Sequence, residues 1–181
     1  MTRRQSVLSA AGWLGAAIVW AFACLAVASF DPHDWPSHAI YPHPETANMC
    51  GTIGAWMAYT LIAAVGPGVW PLLVCTGAVI GLRVYGKKVD DLPFRAAGVA
   101  AVTLATATAA AHFDFGGFVL PEGEGGILGI AASGAAESAF GVAGLRLSII
   151  FAGVAGLLLT ADEIFIGWPR KWLAALAEDT D

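Results

Sequence analysis

The chain has 181 residues, of which 57% are hydrophobic and 13% are charged, and its mean hydropathy is +0.70. Soluble domains carry about 25% charged residues, so this composition excludes an ordinary water-soluble domain. The length leaves room for about four membrane spans of ~20 residues with short connections, and not for a catalytic domain of usual size. The net charge of -5 carries little weight, because the placement of charge matters more than its sum in a membrane protein.

The first span is predicted at 7–30, a run without charged residues that follows a short basic head at 1–6. As a helix this run is ~36 Å long, which is enough to cross a hydrocarbon core of ~30 Å. A cleaved signal peptide is the alternative interpretation, because Ala26-Val27-Ala28 resembles a cleavage site. We favour the span, since the apolar region of a signal peptide is usually only ~7–15 residues long.

The next apolar stretch, 54–85, is too long for one span, because a straight helix of this length measures ~48 Å. It follows an exported loop at 31–53 that contains four prolines and no Lys or Arg. The sequence Gly66-Pro67-Gly68 predicts a helix break. We therefore predict a short helix in the outer interface at 54–65, with Trp56 and Tyr59 as headgroup-level anchors, and a second span at 69–85.

The second half of the chain is predicted by the same criteria. A fifth span is rejected, because its apolar stretch contains Glu137 and because it would export the basic residues near the C-terminus. Trp168 and Trp172 are predicted to anchor an amphipathic tail at the inner face. The predicted segments are a cytoplasmic loop (86–93), span three (94–111), an exported loop (112–126), a second interfacial helix (127–140), span four (145–161) and a cytoplasmic tail (162–181).

The positions of the basic residues predict the orientation. Eight of the nine Lys and Arg residues fall in the head, the middle loop or the tail, and only Arg146 falls on the other side. Both termini are therefore expected in the cytoplasm, with the chain in the cytoplasmic (inner) membrane. The eight residues are Arg3, Arg4, Arg83, Lys87, Lys88, Arg95, Arg170 and Lys171.

Glycines repeat along the chain with an offset of 75 residues. Each half reads as a span, an acidic loop, a Gly-x-x-Gly helix, a glycine-marked break and a span. This order predicts a parallel internal repeat about an axis along the membrane normal. Chance coincidence among 22 glycines is the alternative. The matched pairs are Gly51 with Gly126, Gly54 with Gly129, Gly66 with Gly141, and Gly81 with Gly156.

Few residues of the chain suit catalysis or ligand binding. His33, His38 and His43 recur every five residues in the exported loop, but nothing in the sequence fixes a metal-site geometry for them. There is no Gly-x-x-x-x-Gly-Lys-Ser/Thr phosphate loop in the sequence. Glu137 and Arg146 lie on either side of a glycine-rich break and are predicted to form a structural ion pair. We therefore assign no catalytic, cofactor or metal site.

The exported loop and its flanks resemble the four-span N-terminal membrane region of the FtsK/SpoIIIE DNA translocases. Single glycines at 66, 77 and 81 add to the resemblance, which covers nearly the whole chain. The matching stretches are Ser29-Phe30-Asp31-Pro32-His33-Asp34, Asn48-Met49-Cys50-Gly51-Thr52-Ile53-Gly54-Ala55-Trp56-Met57-Ala58 and Gly125-Gly126-Ile127-Leu128-Gly129. In that family the membrane region anchors and helps to assemble a cytoplasmic DNA motor at the division septum, and it contributes to division itself.

The resemblance implies a non-enzymatic membrane module of cell division and chromosome segregation. Its expected partners are lipid, membrane proteins of the division machinery and further copies of itself. The linker, the RecA-like motor and the winged helix of the family are not found in the sequence. We expect either a split portion or a stand-alone relative, which reaches DNA only through a motor domain.

Two other functions stay open, namely a small channel or transporter subunit and an exported metal-binding sensor. The absence of ionisable residues inside the predicted spans weakens the channel or transporter. We predict that small residues at the starts of the interfacial helices form the helix-packing or partner interface, with simple turn residues as the alternative. These residues are Gly51, Gly54, Gly126 and Gly129.

Overall fold

The structure is a computed structural model that describes residues 3–37, 41–86, 91–113 and 123–160. Of these residues 82% are helical and none lies in a strand, which confirms the predicted all-α class. The helices of this part of the chain are α1 (Arg3–Ala28), α2 (Gly51–Val65), a 3₁₀ turn (Gly66–Gly68), α3 (Val69–Val84), α4 (Leu92–Phe113) and α5 (Gly126–Thr160).

Four helical segments within the described ranges are long and apolar enough to cross a membrane, as the sequence predicts. Two of them, Gly51–Val84 and Gly126–Thr160, have 34 and 35 residues. A straight helix of that length measures ~50 Å, so neither fits a ~30 Å core without a bend. That α2 and the first part of α5 lie in the outer interface, and that both termini are cytoplasmic, stay predictions.

The bend in the first long segment is the 3₁₀ turn. Gly66 adopts a φ of 52°, which L side chains rarely adopt. Pro67 follows as the second residue of the turn, where its missing N–H breaks no helical hydrogen bond. The backbone then re-enters a helical conformation at Gly68 and continues as α3. The α2–α3 junction therefore depends on a glycine conformation followed by a proline start.

The bend in the second long segment is narrower than the predicted gap between 140 and 145. Only Gly141 departs from helical geometry, with φ 69° and ψ 176°. Helical structure resumes at once, so α5 is two helices that share one hinge residue. Other helix ends also differ from the prediction. Helix α2 begins at Gly51, three residues before the start predicted for the interfacial helix. Helix α4 covers Leu92–Phe113 and so extends beyond the 94–111 predicted for span three, because Pro93 is tolerated in a first helical turn.

The first three helices pack around a cluster of small and branched side chains. Ile62 and Val69 are fully buried there, together with alanines from α1 and α2. The indole Nε1 of Trp20 on α1 donates a hydrogen bond to the carbonyl of Leu73 on α3, at 2.8 Å. A Cβ placed on Gly77 would clash with the same indole ring and would lie 2.6 Å from its Cε2 atom. Gly77 therefore makes room for the ring that joins α1 to α3.

Helices α4 and α5 form the most extensive helix pair. Their backbones approach closely because glycines face each other: a Cβ on Gly156 would lie 2.8 Å from the carbonyl oxygen of Gly98. Small residues allow such contacts where lipid supplies no hydrophobic driving force between helices. At the end of this pair, Arg95 Nη1 donates to the carbonyl of Thr160 at 2.9 Å. That bond satisfies one carbonyl in the last turn of α5.

Candidate functional site

The most elaborate polar structure of the described chain lies in the loop between α1 and α2. Asp34, Ser37 and Asn48 are buried there, with exposed fractions of 3%, 0% and 4%. Buried polar side chains require hydrogen-bond partners, since an unpaired buried group is costly. The partners of Asp34 and Asn48 show how a loop with four prolines becomes a fixed structure.

Asp34 joins the two arms of the loop. Its Oδ1 accepts a hydrogen bond from the backbone N–H of Ala47 at 2.8 Å, and its Oδ2 accepts one from the N–H of Asn48 at 2.9 Å. Hydrogen bonds to an ionised carboxylate are roughly twice as strong as neutral ones. A single side chain therefore holds together segments that lie 13 and 14 residues apart in sequence.

Asn48 joins the loop to both helices. Its Nδ2 donates to the carbonyls of Ala26 and Ser29, at 2.8 and 3.1 Å, at the C-terminal end of α1. The last carbonyls of a helix have no partner within the helix, so these bonds satisfy groups that would otherwise be unpaired. The Oδ1 atom accepts the N–H of Cys50 at 2.9 Å, one residue before α2 begins. We call Asp34 and Asn48 together the loop clamp.

Ser29 and Cys50 extend the same connection. The Ser29 hydroxyl donates to the carbonyl of Leu25 at 2.7 Å and accepts the N–H of Met49 at 3.1 Å. The Cys50 thiol points at the carbonyl of Phe22 at 3.7 Å. The end of α1 and the start of α2 are thus joined at several points. The described part of the loop therefore presents an ordered surface.

That surface carries large apolar side chains that the fold leaves exposed. Tyr41 and Met49 are 91% and 79% exposed, and Trp35 and Ile53 are also exposed. Trp56 on α2 is exposed, whereas Tyr59 is half-buried against the core of the first three helices. Apolar side chains on an ordered loop beside a membrane helix suit contact with headgroups or with another membrane protein. The anchor role of these aromatic residues stays a prediction, and Trp168 and Trp172 lie outside the described residues.

The histidines of the loop form hydrogen bonds within it. Asp31 Oδ1 accepts both the backbone N–H of His33 and a contact from its ring Nδ1, each at 2.8 Å. These two hydrogen bonds lower the pKa of Asp31 below its usual value. The ring of His43 lies 3.3 Å from the carbonyl of His33. His38 lies outside the described residues, and among those described no three metal-ligating side chains come together.

The four glycines predicted as an interface fall in different surroundings. Gly51 begins α2 with φ 65° and has open space around it. A Cβ on Gly54 would meet Asn48 Oδ1 at 2.5 Å, so this glycine makes room for the loop clamp. Gly126 packs on the backbone of Gly66, where a Cβ would lie 2.6 Å from its nitrogen. These contacts lie within one chain, so a role for the glycines toward a partner stays a prediction.

Gly129 packs on α4. A Cβ there would lie 2.6 Å from the carbonyl carbon of Ala107. Two further glycines extend this contact. A Cβ on Gly68 would lie 2.6 Å from the carbonyl oxygen of Thr103, and a Cβ on Gly125 would lie 2.6 Å from the carbonyl oxygen of Ala107. The helix break of the first half, the start of α5 and the middle of α4 therefore meet at one glycine-rich junction.

The predicted ion pair between Glu137 and Arg146 is not formed in the structure. Arg146 Nε donates instead to His112 Nε2 at 3.2 Å, and the guanidinium carbon lies 5.8 Å from the ring centre of Phe113. The bend at Gly141 directs Arg146 toward the end of α4, and Glu137 stays on the exposed surface of α5. In the sequence, the residues that could have indicated this contact are His112 and Phe113, which end α4.

Taken together, the fold is that of a multi-pass membrane bundle in which a clamped loop joins the first two helices. A family model for the 4TM region of DNA translocase FtsK/SpoIIIE matches residues 5–172. The chain belongs to this family, as its sequence resemblance predicts. No curated protein and no solved structure matches the chain significantly.

Proposed function

We propose that the chain anchors and helps to assemble a DNA translocase of this family during cell division and chromosome segregation, without catalytic activity of its own. The observation that carries the proposal is the family match, which extends over all four apolar helices. DNA contact and ATP hydrolysis are assigned to a motor domain, because the sequence contains no phosphate loop. The module acts in the cytoplasmic membrane with both termini on the cytoplasmic side.

The loop clamp supports a role in partner binding. A loop held at both ends binds with less loss of conformational entropy than a mobile one. Its exposed Trp35, Tyr41 and Met49 supply the kind of apolar and aromatic contacts that dominate protein interfaces. In this proposal the loop side of the bundle meets membrane proteins of the division machinery, and the long apolar faces of the helices meet lipid or further copies of the chain.

The test is the position of the full chain, fused to a fluorescent protein, in dividing cells. We expect the parent to concentrate at the division site. Asn48→Ala should insert normally, because the spans are unchanged, yet it should lose this enrichment as the loop loosens. Glu45→Ala is the matched control, since Glu45 is an exposed residue of the same loop. A parent chain spread evenly over the membrane would contradict the proposed function.

Orientation is tested separately with reporter fusions. Activity of a cytoplasmic reporter is expected after Asp181 and at Lys87, and activity of an export-dependent reporter at His38 and Glu124. The expectation follows from the uneven distribution of Lys and Arg. An exported C-terminus would show that the bundle is inverted or that another segment crosses the membrane.

A further inference from the structure

An apolar groove of about 300 Å³ runs between α4 and the second part of α5. On α5 it is lined by Ile149, Gly153 and Leu157, and on α4 by residues that include Val102 and Thr106. Ile149, Gly153 and Leu157 recur at helical spacing along one face of α5. The groove faces outward between two membrane helices, so lipid can reach it from the side.

Arg146 lies at one end of the two helix faces that line the groove. Arg146 precedes Ile149 by three residues and therefore continues the α5 face that lines the groove. Phe113 continues the α4 face in the same direction, seven residues beyond Thr106. The contact between Arg146 and Phe113, at 5.8 Å, shows that the two faces converge at this end. The groove thus has an exposed arginine at one end and is lined mainly by apolar side chains along its length.

Arg146 is held in place by one of its hydrogen-bond donors. Its Nε–H is donated to His112 Nε2, and a guanidinium carries four further N–H groups on its two Nη atoms. Within the described part of the chain, no residue accepts a hydrogen bond from those four. An exposed arginine on a lipid-facing helix requires an anion or water at the headgroup level. Its planar fork matches the oxygen atoms of a phosphate.

We propose that this groove is a binding site for one anionic phospholipid. The phosphate is bound by the Nη groups of Arg146, and one acyl chain lies in the groove between α4 and α5. A negatively charged headgroup is favoured over a zwitterionic one, because the Arg146 guanidinium attracts net negative charge and repels the ammonium group of a zwitterionic headgroup. His112 positions the guanidinium and does not itself bind the lipid.

The experiment is native mass spectrometry of the full chain in detergent, titrated with phosphatidylglycerol and, separately, with phosphatidylethanolamine. The parent should retain one phosphatidylglycerol per chain in preference to phosphatidylethanolamine. Arg146→Gln should weaken retention about tenfold, since a charge-assisted contact is lost. Gly153→Leu should weaken it by a similar factor of about ten, because the new side chain occupies the groove.

Gly153→Leu tolerates its own Cβ, because the nearest neighbour, Ala105, would lie 3.9 Å away. Gly134→Leu is the matched control, since Gly134 lies on α5 in open space and should bind lipid as the parent does. The folding of each variant is checked by its helical circular dichroism. Unchanged retention by Arg146→Gln or by Gly153→Leu, or equal retention of the two lipids by the parent, would overturn the proposal.

Discussion

The two halves of the chain begin their second helix in the same way but position it by different interactions. Gly51 and Gly126, 75 residues apart, both start a helix with a positive φ, 65° and 64°. In the first half, hydrogen bonds from the loop clamp hold the start of α2. In the second half, the start of α5 is held by direct backbone packing on α4 and on Gly66. The same glycine helix start is therefore held by polar side chains in the first half and by close backbone packing in the second half.

The two helix breaks differ in a related way. Gly66 and Gly141 also lie 75 residues apart and both have a positive φ. Gly66 is buried against the start of α5, whereas Gly141 is exposed and has open space around it. The first break is therefore a packing contact, and the second is a free hinge. These paired conformations are what an internal repeat predicts, and the repeat itself stays a prediction.

The largest expected effect comes from filling the glycine contact in the second half. Gly129→Leu places a side chain against the backbone of Ala107, so α4 and α5 must separate. Overpacking of this kind costs about 3 kcal/mol, or more when backbone must move. Thermal unfolding in detergent measures the loss. Gly134→Leu, five residues later in the same helix and in open space, should unfold near the parent temperature; an equal loss in both variants would show that Gly129 has no special packing role.

Breaking the loop clamp tests the other side of the comparison. Asn48→Ala removes two donated hydrogen bonds and one accepted bond. We expect a loss of about 2–4 kcal/mol, because buried backbone groups lose their partners. Hydrogen exchange measured by mass spectrometry should show faster exchange in 41–50 and unchanged exchange in α4. Glu45→Ala, which changes an exposed residue of the same loop, should leave exchange unchanged. If residues 41–50 of Asn48→Ala exchange as slowly as in the parent, the loop clamp is ruled out.

The comparison also shows how far the sequence alone could lead. The four apolar spans and the two glycine-marked bends can be predicted, because they depend on composition and on local backbone chemistry. The loop clamp could not, since the bonds between Asp34 and Asn48 and from Asn48 to Ala26 cross 14 and 22 residues through a proline-rich segment. The contact of Gly66 with Gly126 likewise depends on how whole helices pack. Proximity in sequence predicts that Arg146 pairs with Glu137, whereas the hinge at Gly141 determines its actual neighbours.

A moderate effect is expected at the hinge. Gly141→Ala forces a Cβ into a backbone region that is essentially restricted to glycine, at a cost of about 1–3 kcal/mol. Because no atom lies within 4 Å of that Cβ, the helix can relieve the strain by straightening. Spin labels at the exposed positions 131 and 150 should then move apart. Gly134→Ala, in the helix interior, should instead be neutral or slightly stabilising. An unchanged label distance together with unchanged stability would show that the hinge does not require glycine.

The smallest effect is expected from Asp31, at the start of the loop. The hydrogen bonds from His33 lower the pKa of Asp31 below its ordinary value of 3.8, so folding favours the ionised carboxylate. The stabilisation is therefore fully present above pH 3.8 and is lost as the pH falls through the lower pKa of the folded state. Asp31→Asn should lower the unfolding temperature slightly at pH 7, since the carboxylate is largely solvated and its contacts are screened. The difference between parent and variant should shrink as the pH is lowered below 3.8. A difference that grows on acidification would mean that the protonated carboxyl is the form that the loop binds.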